Sequence, residues 1–181
     1  MKMLRRERIS SKRFDQSILR RIRKVLFAAL GIASSAHGGS AVADSEWWVA
    51  RGEENGKELI FRVRATFPDD ATVARYSWLA VIEWDFIPTT NGMPELNVSR
   101  QIYEFEDLLE TKVESTGVCI QAFARTGNGK KEWNYYVADR EAFMASFNNA
   151  MNGKERFPIQ IHFYSDSGWS GLREMHTAAG R

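Results

Sequence analysis

Alternation between apolar and polar residues predicts a β-hairpin near the middle of the chain, at residues 118–139. Two apolar stretches flank Asn128-Gly129, a pair that tolerates the positive φ angles of a tight hairpin turn. Aromatic and β-branched residues recur there at a spacing of two, which is typical of strands. On the first arm, one face is expected to carry Val118, Ile120, Ala122 and Ala124. On the second arm, one face is expected to carry Trp133, Tyr135 and Val137, and the other Asn134 and Tyr136.

Helical patterns lie on both sides of this hairpin. Before it, apolar residues recur at helical spacing and Gly117 ends the pattern; they are Ile102, Phe105, Leu109 and Val113. After it, Asp139 is a predicted N-cap for a helix whose core positions are Phe143, Phe147 and Met151. Further strands are predicted outside the two helices, at 76–87 and 158–164. This order predicts an α+β domain with the ferredoxin-like β-α-β-β-α-β arrangement, in which two helices cover one face of an antiparallel sheet.

An added N-terminal β-hairpin precedes this unit. Residues 46–50 and 59–66 have strand patterns, and Asn55-Gly56 lies between them as a second turn signal. The hairpin either extends the sheet or covers its open face, and the pattern does not distinguish these two placements.

The charge of the chain is divided unevenly. Residues 1–43 contain ten Lys and Arg against two Asp and Glu, whereas residues 44–181 contain fifteen against twenty-one, so their net charges are +8 and −6. The first segment has a basic region, a nine-residue apolar run at 25–33 and an Ala-Val-Ala site ending at Ala43, which together indicate a signal peptide cleaved after Ala43. The alternative is a basic arm that stays on the protein.

Removal of this leader predicts a periplasmic or secreted protein, with a cytoplasmic location as the alternative. The apolar run is too short for a stable membrane anchor, because a spanning helix needs roughly 20 residues. We predict a single domain at 44–172 and a disordered tail at 173–181. The acidic net charge of this domain argues against a nucleic-acid partner.

Three residues are candidates for catalysis. Glu83 and Asp85 share one strand face, roughly 7 Å apart, and such carboxylates can bind a cation or transfer protons. His162 joins them if it faces the same surface. Simple exposure at a strand end is the competing interpretation. No cofactor or metal site is predicted, because the chain has no phosphate-binding glycine loop and no histidine pair at ligand spacing.

Aromatic residues suggest a second surface, used for binding. Trp133, Tyr136, Asp166 and Trp169 are candidates for the rim of a groove, since exposed aromatic residues mark recognition surfaces. Packing in the core is the competing interpretation. The single Cys119 excludes an internal disulfide and is expected to be a small buried residue.

One motif set resembles a known family. The chain has Thr126-x-x-Gly129-x-x-Glu132-Trp133-x-Tyr135-Tyr136-x-x-Asp139, then Phe157-Pro158, then Asp166-x-x-Trp169. This set resembles the bacterial family called domain of unknown function 695, which implies no activity. The chain departs from the family at Ser167-Gly168, where a proline more often follows the aspartate. More distantly, the chain resembles the regulator of ribonuclease E activity B, a small ferredoxin-like inhibitor that is located in the cytoplasm.

The sequence therefore predicts an exported, non-enzymatic binding or regulatory module that acts on a protein or a small ligand. One alternative is a small hydrolase or metal-dependent enzyme using Glu83, Asp85 and His162. Another is an RNA-linked regulator, provided that the chain is not exported. The partner and the oligomeric state stay open.

Overall fold

Seven strands and four α-helices make up the described part of the protein. The computed structural model describes residues 46–180 and the backbone of Lys12–Arg13. The strands are β1 (Lys12–Arg13), β2 (Trp47–Glu54), β3 (Lys57–Arg64), β4 (Trp78–Asp85), β5 (Cys119–Gly127), β6 (Lys130–Val137) and β7 (Ile159–Ser165). The helices are α1 (Asp70–Arg75), α2 (Leu96–Leu108), α3 (Arg140–Ala150) and α4 (Ser170–Ala178). A π-helical turn, Leu109–Val113, and a 3-10 turn, Glu114–Thr116, extend α2.

The strands form one sheet in the order β1-β7-β4-β6-β5-β3-β2. Strands β2 to β7 pair antiparallel, whereas the two-residue β1 lies parallel to β7. The predicted mixed class of helices and strands is confirmed. The N-terminal hairpin extends the sheet, because β3 pairs with β5.

Both hairpin turns occur where Asn-Gly pairs predict them. Asn55 and Gly56 have φ angles of 54° and 72°, and Asn128 and Gly129 have φ angles of 50° and 76°. Positive φ at both central residues matches the right-handed twist of the flanking strands. At Gly127, which also has a positive φ, a Cβ atom would collide with the backbone oxygen of Glu58, so β3 and β5 approach closely there.

One sheet face packs against α2 and α3. Phe105 of α2 lies fully buried between Trp133 and Phe157, with ring centroids 5.0 Å from each. The predicted helix positions Ile102, Leu109, Val113, Phe143 and Phe147 are all buried on this side. Asp139 caps α3 as predicted, by accepting a hydrogen bond from the Ala142 amide at 2.9 Å.

The opposite face packs against α1 and α4. Val73 of α1 and Leu172 and Met175 of α4 are buried there against the sheet. The prediction of a disordered tail at 173–181 is therefore wrong for Arg173 to Ala178, which lie in α4. Most residues of this helix are polar, but Leu172 and Met175 are apolar and lie at helical spacing. Burial of these two side chains against the sheet stabilises the helix.

A β-bulge in β5 corrects the predicted alternation of the first hairpin arm. Gln121 pairs with Tyr135, but the next pair is Phe123 with Asn134, so β5 has one extra residue at this point. A bulge reverses the face of every residue beyond it. Ala122 therefore packs on the α4 side and Ala124 on the α2 side, whereas strict alternation places both on one face.

The predicted signal peptide lies outside the described residues, apart from the backbone of β1. Within the described residues, no helix combines the length and the apolar character needed to cross a membrane.

Candidate functional site

Asp166 organises the start of α4. Its carboxylate accepts hydrogen bonds from the Tyr136 hydroxyl at 2.7 Å, the Ser170 amide at 2.9 Å, the Ser170 hydroxyl at 2.7 Å and the Gly171 amide at 3.2 Å. Burial and the nearby Asp166 charge raise the pKa of Tyr136 well above its ordinary value, so the phenol keeps its proton and donates. Asp166 is 6% exposed, and these four bonds use its acceptor capacity.

Trp169 locks α4 onto the sheet. Its ring stacks on Tyr136 with centroids 3.9 Å apart and planes 8° apart, and its indole nitrogen donates to the Tyr76 oxygen at 2.9 Å. The residue has a φ of 52°, a conformation that bulky side chains rarely adopt. Tertiary packing of the fully buried indole compensates for this backbone strain.

The predicted groove rim is consequently wrong. Trp133, Tyr136 and Trp169 are 0% exposed, so none of them forms an exposed recognition surface. Trp133 also lies on the opposite sheet face, where its indole donates to Glu106 at 2.8 Å. The other three candidates do meet one another, but as a buried structural unit. The competing interpretation, packing in the core, describes all four residues.

Beyond this unit, the α4-side face of the sheet becomes charged. The residues concerned come from neighbouring strands and are called the charged cluster: Glu54 of β2, Glu83 and Asp85 of β4, Arg125 of β5, and Lys130 and Glu132 of β6. Strand register explains the assembly, because Glu83 and Arg125 each lie directly opposite Glu132. Their side chains are mostly buried, with 11–23% exposure for every member except Asp85.

Lys130 holds the two candidate carboxylates of β4. Its ammonium lies 2.8 Å from Glu83 and 3.2 Å from Asp85. Burial raises the pKa of Glu83, but the hydrogen bond and positive charge of Lys130 outweigh that effect and lower the pKa below its ordinary value. Glu83 is therefore an ionised, ion-paired carboxylate, which makes it a weak proton acceptor near neutral pH.

Glu132 has the opposite tendency. Burial raises the pKa of Glu132, and the nearby Glu83 carboxylate raises it as well. The positive charge of Arg125, 3.0 Å away, lowers the pKa but does not outweigh burial, so the pKa of Glu132 lies above its ordinary value. Arg125 is shared with Glu54, whose oxygen lies 3.3 Å away and also accepts from the Asn128 amide at 3.0 Å. Among the described residues, four carboxyl groups thus share two cations in the cluster, and the surroundings of Glu132 raise its pKa and favour its protonated form.

Asn134 lies where the charged cluster meets the apolar core. It follows Glu132 by two positions on β6, so both face the α4 side, and it lies opposite Val81 and Phe123. The residue is 3% exposed, so its amide is a polar group at the border between the apolar core and the charged cluster.

His162 shares the face of the charged cluster without completing a catalytic arrangement. The register places it opposite Val81, while Gln160 lies opposite Glu83, and its ring is exposed. It influences the pKa of Glu83 only through charge, as a smaller contribution than that of Lys130. The three predicted residues thus share one face, but Lys130 rather than His162 pairs with the two carboxylates.

Two other chemistries receive no support from the described residues. No group of three or more His, Cys, Asp and Glu side chains there has the arrangement of a metal site. Cys119 is 2% exposed, as predicted, and burial together with Glu114 raises the pKa of its thiol far above the ordinary value, which suppresses thiolate reactivity.

Sequence reasoning missed most of the charged cluster. Four of its residues lie on strands that the sequence predicts, but the sequence pattern does not single them out as site residues: Arg125, Lys130, Glu132 and Asn134. A signal was present, since Glu132 and Asn134 are polar at alternate positions of a strand predicted to be central. Their partners depend on register and on the bulge, which a single strand pattern does not contain.

Comparison with known proteins identifies a family. Residues 45–175 match the family model described as Family of unknown function (DUF695), which confirms the first resemblance of the sequence. The more distant resemblance to the regulator of ribonuclease E activity B is not shown by this match. No curated protein and no solved structure matches the chain.

Proposed function

The chain belongs to the DUF695 family of unknown function, and we propose that it is an exported, non-enzymatic binding module whose ligand site is the charged cluster together with Asn134. The observation that carries this proposal is the mostly buried ionic network, which gathers charged side chains from four strands on one sheet face, with the 3% exposed Asn134 beside it. A polar group retained in a core at a cost in stability is typical of functional sites.

The binding module is built on a ferredoxin-like unit in this proposal. The order β7-β4-β6-β5 with all neighbours antiparallel supports it, since this is the order expected when two right-handed β-α-β crossovers interlock. The burial of α2 and α3 against one face supports it as well. The N-terminal hairpin and α4 are then additions to this unit. The charged cluster lies on the sheet face opposite α2 and α3, beside the part of that face that α4 covers.

Export is proposed from the leader. The basic region, the apolar run and the Ala-Val-Ala site support cleavage after Ala43, and the family match begins two residues later, at residue 45. Intact mass of the protein recovered from fractionated native cells tests this step. A species beginning at Asp44 in the periplasmic or secreted fraction is expected. A full-length species confined to the cytoplasm would contradict export and favour the RNA-linked alternative.

Ligand binding is tested by thermal unfolding of the full chain against a panel of neutral, anionic and cationic small molecules and short peptides. A ligand at 100 times its Kd adds about 2.7 kcal/mol to the free energy of unfolding, which raises Tm by roughly 5–10 °C for a domain of this size. The same ligand should raise Tm much less in Asn134→Leu. Glu110→Gln is the matched control, because Glu110 is an exposed carboxylate on the α2 side. Equal shifts in all three proteins would contradict the site.

A hydrolase using Glu83, Asp85 and His162 is the second candidate. Their shared face favours it, but the pairing of both carboxylates with Lys130 makes them poor general bases. The same panel of compounds separates the two functions. Hydrolysis of an ester, amide or phosphate compound by the wild-type protein, but not by Glu83→Gln, would favour the enzyme. Binding without turnover is the expected result.

A further inference from the structure

The N-terminal hairpin extends one face of the sheet beyond the core that α2 and α3 cover. Ala124 of β5 belongs to that core, and the register places Arg62 of β3 opposite Ala124 and Val49 of β2 opposite Arg62, so these three residues share a face. The core beneath α2 and α3 includes residues of β4, β5 and β6 but none of β2 or β3, and Val49 is 64% exposed. The extended part, called the hairpin face, consists of Trp47, Val49 and Arg51 of β2 and Ile60, Arg62 and Arg64 of β3.

Arg62 is held in place at the centre of the hairpin face. Its guanidinium lies 4.2 Å from the centroid of the Trp47 ring, and its Nη2 atom donates a hydrogen bond to Gln121 Oε1 at 3.0 Å. Gln121 is 6% exposed, so this hydrogen bond anchors the arginine to the folded core. Both contacts reduce the side-chain freedom that binding would otherwise have to restrict. The stack also brings the guanidinium toward β2, because Trp47 belongs to that strand.

No carboxylate pairs with Arg62 in the part of the chain that the structure describes. Two arginines on the same face differ from it, since Arg51 pairs with Glu58 and Arg64 pairs with Glu46. A guanidinium has five N–H donors, and the described residues use one of those of Arg62. The remaining donors form a planar fork that suits a carboxylate. Residues 44–181 carry a net charge of −6, so a positive group without an acidic partner favours an acidic group from another molecule at this position.

The edge of the sheet beside Arg62 can accept another strand. Among the described strands, β2 is the last at its end of the sheet and pairs only with β3. Edge strands present unpaired backbone groups, which proteins usually protect with charged residues, proline or a bulge. The first four residues of β2, Trp47 to Ala50, have no charge and no proline, and their pairing with β3 is regular. A strand added to β2 lies about 4.8 Å away, so its side chains on the hairpin face can reach Val49 and the guanidinium of Arg62.

We propose that the hairpin face binds an extended acidic segment of a partner protein, which adds to the edge of β2. A carboxylate of the segment pairs with Arg62 above Trp47, and an apolar side chain two positions along the segment packs on Val49, because alternate residues of a strand share a face. In this mode, main-chain hydrogen bonds provide affinity and the alternate side chains provide specificity. The hairpin face lies on the other side of the sheet from the charged cluster, so this surface is additional to the ligand site proposed above.

The test is fluorescence anisotropy of the full chain with a labelled hexapeptide of alternating glutamate and valine, and with counterparts that carry glutamine or lysine in place of glutamate. The glutamate peptide should bind most tightly. Arg62→Gln should weaken its binding by about tenfold or more, the usual effect of removing a charge-assisted hydrogen bond. Val49→Asp should also weaken binding, because it places a like charge beside the peptide. The matched controls, Arg100→Gln and Leu96→Asp, change exposed residues of α2 and should leave the affinity unchanged.

Two features keep this test decisive. The basic residues 1–43 also attract acidic peptides, but they are identical in every variant and cannot produce a difference between Arg62→Gln and Arg100→Gln. Val49 is 64% exposed, so Val49→Asp tests the surface even if Arg62→Gln fails to fold. Hydrogen exchange of the complex adds a direct readout of strand addition, since backbone amides of Trp47 to Ala50 should exchange more slowly with the peptide bound.

Several results would overturn the inference. They are the absence of binding by the glutamate peptide, tighter binding of the lysine peptide, and equal affinities for Arg62→Gln and Arg100→Gln. Binding that leaves exchange at Trp47 to Ala50 unchanged would exclude strand addition. Glutarate binding as tightly as the peptide would show that an extended segment contributes nothing. None of these results affects the charged cluster, whose ligand site is tested separately.

Discussion

Two halves of one sheet face contain buried polar groups, but the two halves differ in how completely those groups are paired. In the half covered by α4, Asp166 accepts four hydrogen bonds and Trp169 stacks on Tyr136. In the half that carries the charged cluster, four carboxyl groups share two cations among the described residues. A polar group that the fold satisfies internally is a structural element. A mostly buried charge that is incompletely balanced costs stability and is available to a ligand.

The largest expected effect is in the satisfied half. Trp169→Ala should lower the free energy of unfolding by about 3–5 kcal/mol, because it removes a fully buried indole and leaves a cavity. Urea denaturation measures this change. Tyr103→Ala is the control, since Tyr103 is 69% exposed and should change stability by no more than about 0.5 kcal/mol. A loss of stability below about 1 kcal/mol for Trp169→Ala would contradict the structural role assigned to the half of the sheet face covered by α4.

Coupling between Tyr136 and Asp166 is the next effect. A double-mutant cycle with Tyr136→Phe and Asp166→Asn should give a coupling energy of about 1–2 kcal/mol, because the two side chains share a 2.7 Å hydrogen bond in the core. Pairing Tyr136→Phe with Asp107→Asn, an exposed α2 residue, should give additive losses. Additive losses in both cycles would contradict an energetic coupling between Tyr136 and Asp166.

The smallest effect concerns Glu132, and it depends on pH. Because the folded-state pKa of Glu132 is raised, the protonated form is favoured by folding, and its stabilising contribution is lost as pH rises through that pKa. Glu132→Gln imitates the protonated form and should add less than about 1 kcal/mol at pH 7. The gain should shrink toward zero below the pKa of an unfolded glutamate.

Glu83→Gln is the counterpart with the opposite sign. The folded-state pKa of Glu83 is lowered, so its contribution is present above the unfolded value and is lost as pH falls through the folded one. Glu83→Gln should therefore destabilise at pH 7 and have little effect in acid. Urea titrations of the two variants from pH 3 to pH 7 measure both trends. Trends of the same sign would contradict the assignment of the proton to Glu132.

Periodicity predicted much of the fold because local rules control it. The turns at Asn55 and Asn128, the cap at Asp139 and the apolar positions of α2 and α3 depend on neighbours close in sequence. Alternation also placed Asn134 and Tyr136 on one face of β6, as observed. The helix α4 was missed, because its two buried residues are a weak local signal and packing on the sheet provides its stability.

The sequence by itself determined most of the strands and the two helices α2 and α3, and only the tertiary structure decided α4 and the site. Glu83, Arg125 and Glu132 come from three strands, and no spacing along the chain predicts that they meet. The bulge at Gln121 decides the outcome, since one extra residue in β5 moves Arg125 to the face of Glu132; strict alternation would place Ala124 there instead. A one-residue shift reverses faces because side chains alternate with a period of two, and the balance of pairing and packing that selects the shift belongs to the whole sheet.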